Sequence, residues 1–539
     1  MHIALNIPEL QGAICETRVL RKSDLRSLCL VSRSWRSVAE PVLWGDLGSL
    51  DPLLRLLPQD ARKQVRSNSL CLCNIMRRVL IRESQRFRRV LRSEDWTAFI
   101  RIAPYVKSLR LDFKTAVRRN DQAYIVQCPP SDPLLPLLQT LDVRFDGDVY
   151  VANDFMRLLL SQTVTDLRLD MSDCSPAIPC AFLMISSLHN LSALTLNVSP
   201  SSSSLGELSM SATSFCRSLI GTLAERPSLE RVSLTMLFNY TPEILPVLAK
   251  IPCLQHLDVH LQIMDLGNKE ALLPCADFSS LSSLACENCP LSFLLAILRA
   301  QAADALRKIT AYTAIHTSDA LSSVLSEVRA HCRPALLTEV SLHNRSAWIS
   351  ITGVSSVELE LVVLRKDGLA LLSDCSNLTT LIINGISSLD LAGVEWEEVA
   401  GWWPHLEHLR LETYMSTQFP PVSLATLAHF ARNCPHLTYL GLPIDASVVP
   451  ADIDAPHRSR ATGELRLGVE SAPIKDADAV ARYLSEIFPH LTVVLFREGH
   501  HRPREMWDRA GLLWDRVNGL LRGSSGPQNE LIVNRGLRE

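Results

Sequence analysis

The sequence predicts an α/β fold in which a short N-terminal α-helical module precedes a long solenoid of parallel strands with helices outside. Three observations carry this reading. A six-residue apolar pattern recurs through most of the chain. Helix-compatible stretches that end at proline alternate with it. The first 45 residues hold closely spaced apolar positions, with Trp35 and Trp44 nine residues apart, in a stretch too short for a domain of ordinary size.

The pattern is apolar, two variable residues, apolar, one variable residue, apolar. It reads "VKSLRL" at Val106, "LQTLDV" at Leu138, "VTDLRL" at Val164 and "LSALTL" at Leu191. It returns as "LERVSL" at Leu229, "LQHLDV" at Leu254, "LRKITA" at Leu306, "LTEVSL" at Leu337 and "VSSVEL" at Val354. "LTTLII" at Leu378, "LEHLRL" at Leu406 and "LTYLGL" at Leu437 follow, with weaker copies at Leu281, Thr462 and Leu491. The mean step is about 27 residues, within the range of leucine-rich repeats. The last two apolar positions alternate as in a strand and point to one side. Between strands, Leu424–Cys434 and Ala477–Phe488 carry apolar residues at three- and four-residue spacing, which predicts helices. Pro227, Pro252, Pro404, Pro435 and Pro489 stand just before strands, where proline ends a helix and favours extended backbone. This resembles the leucine-rich-repeat family over about 390 residues, and the irregular steps and mostly absent asparagine position resemble its longer, helix-containing class.

In the N-terminal module, Ser23 or Asp24 is placed to cap a helix. Leu25, Leu28, Val31, Trp35 and Val38 form one apolar face, and Pro41 ends that run. Upstream, "IPELQGAI" places a proline at a helix start ahead of Leu10 and Ile14. Two or three short helices of this kind bury little unaided. The string "IPEL…I…DLRSLCLVSRSWRSVAEPVLW" resembles an F-box, and its continuation is similar to F-box proteins of mushroom-forming fungi. Ser32 stands where that family often has cysteine. The resemblance implies that Pro8, Leu10, Ile14, Leu28, Val31, Trp35 and Trp44 bind, or support the binding of, a Skp-type adaptor. The adaptor would join the chain to a cullin–RING ubiquitin ligase as a non-catalytic substrate receptor, with the repeats holding an unidentified protein substrate. The alternative is a leucine-rich-repeat scaffold unrelated to ubiquitination, its N-terminal helices only a cap.

The resulting division is residues 1–50 for the helical module, 51–100 for a basic helical linker, 101–498 for the solenoid, and 499–539 for a capping helix with a disordered tail. The linker reading rests on ten basic residues and one acid, Glu83, between Arg62 and Arg92, taken as a solvated helix rather than a nucleic-acid site. The variable strand positions define the concave surface. Arg110, Asp112, Arg144, Arg168, Asp258, His260, Glu358, Arg410 and Glu412 are its candidate substrate-binding residues, and their mixed charge suits a protein better than a polyanion.

With 54 basic and 57 acidic residues the net charge is −3, which gives no whole-chain attraction to nucleic acid or anionic membrane. No apolar run approaches the ~20 residues a membrane helix needs, and no secretory signal opens the chain, so a cytoplasmic or nuclear location is expected. The odd number of cysteines, 15, suits reduced thiols, and Cys286-x-x-Cys289 lacks the second pair of a zinc site. His500-His501 reads as exposed loop, and the run Ser199–Ser214 as a loop insertion. Sequons at Asn190, Asn197, Asn239, Asn344 and Asn377 read as chance matches. No phosphate loop, nucleophile elbow or metalloprotease helix is present, so neither enzyme, cofactor nor metal is expected.

Overall fold

The computed structural model describes residues 7–17, 19–70, 79–113, 119–145, 153–171, 174–198, 218–236, 244–261, 277–301, 305–345, 361–413, 422–450, 463–470, 472–497 and 504–523. The chain forms two compact units, Met1–Ala276 and Asp277–Glu539.

The first unit opens with α1 (Pro8–Glu16), α2 (Lys22–Val31) and α3 (Arg33–Gly45). The Asp24 carboxylate accepts from the Arg21 N–H at 2.9 Å, so α2 begins a residue or two before the expected caps. The apolar run expected as one helix is split at Ser32. That residue is extended, and its hydroxyl accepts from the Trp35 N–H at 3.2 Å to start α3. Pro41 lies inside α3 instead of ending it. Val38, Val42 and Leu43 pack on a core of Cys15, Leu25, Trp35 and Ala39, which holds the last turn despite the missing N–H. Helix α3 runs directly into β1 (Asp46–Leu47), and β1 pairs in parallel with β4 (Ser108–Asp112). The module is thereby spliced onto the sheet edge, with the Gly45 carbonyl accepting from the Lys107 N–H at 2.9 Å.

Residues 51–100 differ from the expected basic helix. Arg62–Leu70 (β2) and Val79–Phe87 (β3) pair as antiparallel strands. The antiparallel ladder pairs the backbone groups that each strand turns to the other, and β-branched residue types at 65, 79 and 81 disfavour helix. The flanks are core rather than linker: Leu50, Leu53, Leu57, Ala61, Leu91, Trp96, Phe99 and Ile102 are all buried. Arg89 donates to Asp60 at 2.8 Å and to Asp95 at 2.7 Å, tying the end of the hairpin to both flanks.

The repeats then follow the apolar pattern. In the first unit, β4, β5 (Thr140–Phe145), β6 (Asp166–Met171), β7 (Ala193–Val198), β8 (Arg231–Met236) and β9 (His256–Leu261) pair in order, all parallel. In the second unit the ladder is β10 (Ser283–Cys289), β11 (Lys308–Thr313), β12 (Glu339–Asn344), β14 (Thr380–Ile386), β16 (His408–Thr413), β18 (Tyr439–Leu442), β20 (Leu465–Glu470) and β21 (Leu491–Arg497). Two short side pairs accompany it: β13 (Val363–Arg365) with β15 (Ser388–Asp390), and β17 (Val422–Ser423) with β19 (Ile444–Asp445). Helices such as Asn153–Leu159, Ser318–His331 and Ala477–Ile487 connect successive strands. Among the described residues each motif leucine is removed from water; Leu138, Val164, Leu306, Leu378 and Leu406 are all 0 % exposed. The motif copy at Val354 lies outside the described residues, and β12 pairs directly with β14. This is an α/β solenoid of leucine-rich-repeat type.

Hydroxyls at the second motif position bridge neighbouring strands. Ser192, Thr338, Thr379 and Thr438 each follow the first leucine of a motif. Each donates its hydroxyl to the carbonyl at the same position one repeat earlier, at 3.2, 3.2, 3.0 and 2.9 Å. The backbone N–H groups of these residues reach the same carbonyls. Asn344 does bond as a ladder asparagine. It is 3 % exposed, accepts from the Ile315 N–H at 2.9 Å, and donates to the carbonyls of Ile315 and Gly385 at 2.8 and 3.0 Å. A side chain at Gly385 (φ +74°) would meet the Asn344 carbonyl oxygen at 2.5 Å, so glycine is required there.

The C-terminal helix spans Arg504–Gly523. Trp514 and Val517 are buried, and Trp514 Nε1 donates to the Ala472 carbonyl at 3.0 Å. Cys286 and Cys289 are buried thiols. Cys71 and Cys73, His500 and His501, the serine run and residues 524–539 lie outside the described residues.

Candidate binding surfaces

Two surfaces follow from this architecture. The first is the N-terminal module. Its seven candidate residues separate by depth. Trp35 is 5 % exposed and belongs to the module's core, so its part is support. Ile14, Leu28 and Trp44 are half-buried. Pro8, Leu10 and Val31 stand exposed, Leu10 at 45 % and Val31 at 54 %. Ile7, Val19 and Leu30 are also exposed and were not anticipated; Leu30 falls between the helix-period positions. Five of the 13 large apolar side chains exposed among the described residues thus lie between Ile7 and Val31, a density that scattered surface leucines do not reach. Ser34 donates to Gln11 Oε1 at 2.8 Å, fixing α1 against α3, and Lys22 Nζ reaches the Asp46 carbonyl at 2.5 Å. The exposed residues are therefore carried on a braced scaffold.

The second surface is the open face of the strand ladders. Strand alternation buries Leu109, Leu111, Leu141 and Val143 and turns their neighbours outward. In the first unit these neighbours form a charge checkerboard across β4, β5 and β6. Arg110 donates to Asp142 at 2.7 Å, Arg144 to Asp170 at 3.0 Å and Arg168 to Asp166 at 3.1 Å. Asp166 raises the Arg168 pKa by hydrogen bonding and charge. Asp112 and His260 share this face, and Asp258 accepts from Ser233 at 3.0 Å.

In the second unit Arg410 forks onto Glu412 on β16. Glu358 lies outside the described residues. The residues that reasoning from charge missed here are rings. Tyr312 on β11 stacks on His343 of β12 with centroids 4.1 Å apart and planes 6° apart. Arg345 lies over the Tyr312 ring, 5.7 Å from its centroid, while bonding Glu287 at 2.8 Å. His408 on β16 stacks on Tyr439 of β18 at 4.5 Å. The frame that located the charged positions also contains these rings, so the signal was available. Burial, with Arg410 and Arg345 nearby, pushes the His343 pKa down to about 4. Burial and Arg410 lower His408 as well. Both imidazoles are therefore neutral at pH 7.

No helix among the described residues is long and apolar enough to cross a membrane, and no group of three or more metal-ligating side chains is present among them. Glu397 and Glu398 bridge to Arg432 at 3.5 Å and Lys366 at 2.7 Å, linking helices of neighbouring repeats.

No family model matches the chain, and no curated protein matches it. Among solved structures it is similar to the leucine-rich-repeat protein LIC12759 of Leptospira interrogans, at 13 % identity and a TM-score of 0.40, covering 78 % of this chain and 90 % of that one. It is also similar to a chain of the Rad7–Elc1 complex of yeast, at 17 % identity and a TM-score of 0.35, covering 72 % and 85 %. A third is LegL7 of Legionella pneumophila, a leucine-rich-repeat-containing protein, at 13 % identity and a TM-score of 0.28, covering 72 % and 95 %. The assignment to the leucine-rich-repeat fold rests on this chain's own repeat spacing and strand ladder.

Proposed function

We propose that this protein is a non-catalytic leucine-rich-repeat scaffold that binds other proteins through the open faces of its strand ladders. The observation that carries the reading is the self-neutralised open face of the first unit. Arg110–Asp142, Arg144–Asp170 and Arg168–Asp166 leave a rigid polar surface without the excess positive charge a polyanion needs. The test is selection of a displayed library of folded protein domains on the full chain, with counter-selection on an Arg144→Glu/Arg410→Glu variant. Clones that bind the wild type and lose binding on the variant support the reading. No enrichment, or equal binding to both, overturns it.

A second reading concerns the N-terminal module and is favoured by its exposed apolar residues. On this reading Pro8, Leu10 and Val31 contact a Skp-type adaptor. Ile14, Leu28, Trp35 and Trp44 support them, and the chain serves as substrate receptor of a cullin–RING ubiquitin ligase in the cytoplasm or nucleus. Because Trp35 is core, its truncation would loosen the module and say little about docking. A better variant is Leu10→Asp/Val31→Asp, whose positions face solvent. Calorimetric titration of the full chain with a purified Skp-type adaptor is expected to give saturable binding that the double variant loses at least tenfold. Absence of binding by folded wild type would leave the helices as a cap of the first unit and would not touch the scaffold reading.

A further inference from the structure

The open faces of the two units differ in what they leave unsatisfied. In the first, the arginines of β4, β5 and β6 each meet an aspartate. In the second, four rings stand half-buried in two stacked pairs, Tyr312–His343 and His408–Tyr439. Arg466 on β20 is exposed beside Tyr439 in register, and no acid pairs with it among the described residues. On the strands from β12 to β16 three buried polar atoms have no hydrogen-bond partner among the described residues: Ser341 Oγ on β12, Asn384 Oδ1 on β14 and His408 Nε2 on β16. Ser341 itself is only 3 % exposed and occupies an outward strand position between Val340 and Leu342. Folded proteins keep few atoms of this kind. Three within one band of neighbouring strands mark a surface whose hydrogen bonding is incomplete.

The geometry also fixes a length. Neighbouring strands lie about 4.8 Å apart, so the three steps from β12 to β18 cover about 14 Å, and His343 and Tyr439 are also offset by four residues along the strands, about 13 Å. An extended peptide joins them in about six residues at about 3.3 Å each. Gly441 and Gly468 carry no side chain beneath Tyr439; a Cβ at Gly468 would meet the Tyr439 hydroxyl at 2.5 Å. The Tyr439 ring thereby extends over these two glycines while stacked on His408, in register beside Arg466.

We propose that the open face of the second unit, from β11 to β20, binds an extended segment of a partner polypeptide that places a carboxylate on Arg466 and a planar side chain on the His408–Tyr439 shelf. The proposal rests on the protein-binding reading above and assigns its contact residues and ligand class. Electroneutral rings supply stacking area at small cost in side-chain entropy, and one exposed arginine supplies a bidentate anchor for the acid. The ion pairs Arg410–Glu412, Arg345–Glu287 and Lys308–Glu339 already engage the other described lysine and arginines of this band, which disfavours a nucleic-acid strand.

The test uses a 12-residue peptide library displayed on phage, selected on the full chain. It is counter-screened on Arg466→Glu, on Tyr439→Ala and, as a control on the helix Asn153–Leu159 of the first unit, on Arg157→Gln. Thermal melts establish that each variant is folded; Arg466 and Arg157 face solvent, so those two report even if Tyr439→Ala does not fold. The expected result is enrichment of peptides with an acidic residue within two positions of an aromatic one. Their binding should fall at least tenfold on Arg466→Glu and Tyr439→Ala, stay unchanged on Arg157→Gln, and return on Arg466→Glu when the acid is changed to lysine. Enriched peptides that ignore Arg466→Glu overturn the site while leaving the scaffold reading intact. Absence of any enriched peptide, or tighter binding of a dT12 oligonucleotide at the same face, overturns the proposal. The domain-library selection above then decides separately whether the scaffold reading also fails.

Discussion

At the scale of single residues, Asn344 carries the sharpest expectation. Its side chain makes three hydrogen bonds in a site closed to water. Asn344→Ala would strand the Ile315 N–H and the carbonyls of Ile315 and Gly385, at about 1–3 kcal/mol for a buried group left unmade. Urea titration should show a loss of about 3 kcal/mol or more. The same burial closes the Asn344 sequon to a glycan in the folded chain. His343 makes a pH prediction. Folding holds its pKa near 4, against an ordinary 6.5, because burial and two arginines disfavour the imidazolium. Between those values the unfolded chain takes up a proton that the folded chain refuses, so stability falls as pH drops through that window. His343→Gln should flatten this component when unfolding free energies are compared at pH 7 and pH 4.5. Burial likewise pushes the thiols of Cys180 and Cys434 up to about 12 and that of Cys375 to about 11. Cys253 is exposed. Timed alkylation read by mass spectrometry should label Cys253 before those three, which react only on unfolding.

At the scale of elements, the last strand shows how an edge is closed. Asn518 of the C-terminal helix accepts from the Val494 N–H and donates to the Val494 carbonyl, both at 2.8 Å. It occupies the place another strand would take, and Leu495 beside it is 37 % exposed. Asn518→Ala should free that backbone pair and promote edge pairing between copies, seen as concentration-dependent growth in light scattering at unchanged helix content. The hydroxyl ladder makes a gentler prediction: Thr379→Val removes one of three hydrogen bonds to the Thr338 carbonyl and should cost about 1 kcal/mol. The repeat elements were legible because the motif leucines must leave water, and that requirement repeats in the sequence. The hairpin of β2 and β3 was not, because a charge run names no partner and its pairing joins residues across a turn. The same holds for α3, where packing of Val38, Val42 and Leu43 outweighs the local preference of Pro41 to end a helix.

At the scale of the molecule, each repeat buries the apolar positions of its own motif against its neighbours, so stability is distributed along the array. Truncating a motif leucine such as Leu409, 0 % exposed, should cost about 2–5 kcal/mol. Hydrogen exchange should report the loss chiefly in β14, β16 and β18, the strands that meet it. The sequence by itself determined the solenoid, the positions of its strands and which residues face out, because burial of an amphipathic period is a local property that needs no knowledge of partners. Only the tertiary structure decided what those outward residues do. Arg110 finds Asp142, and Tyr312 finds His343, across about 30 residues of intervening chain, where a one-residue change of register would alter every pair. It also decided that Trp35 looks inward while Leu10 and Val31 look out, since three short helices can share one small core only by choosing which face of each to give up to water.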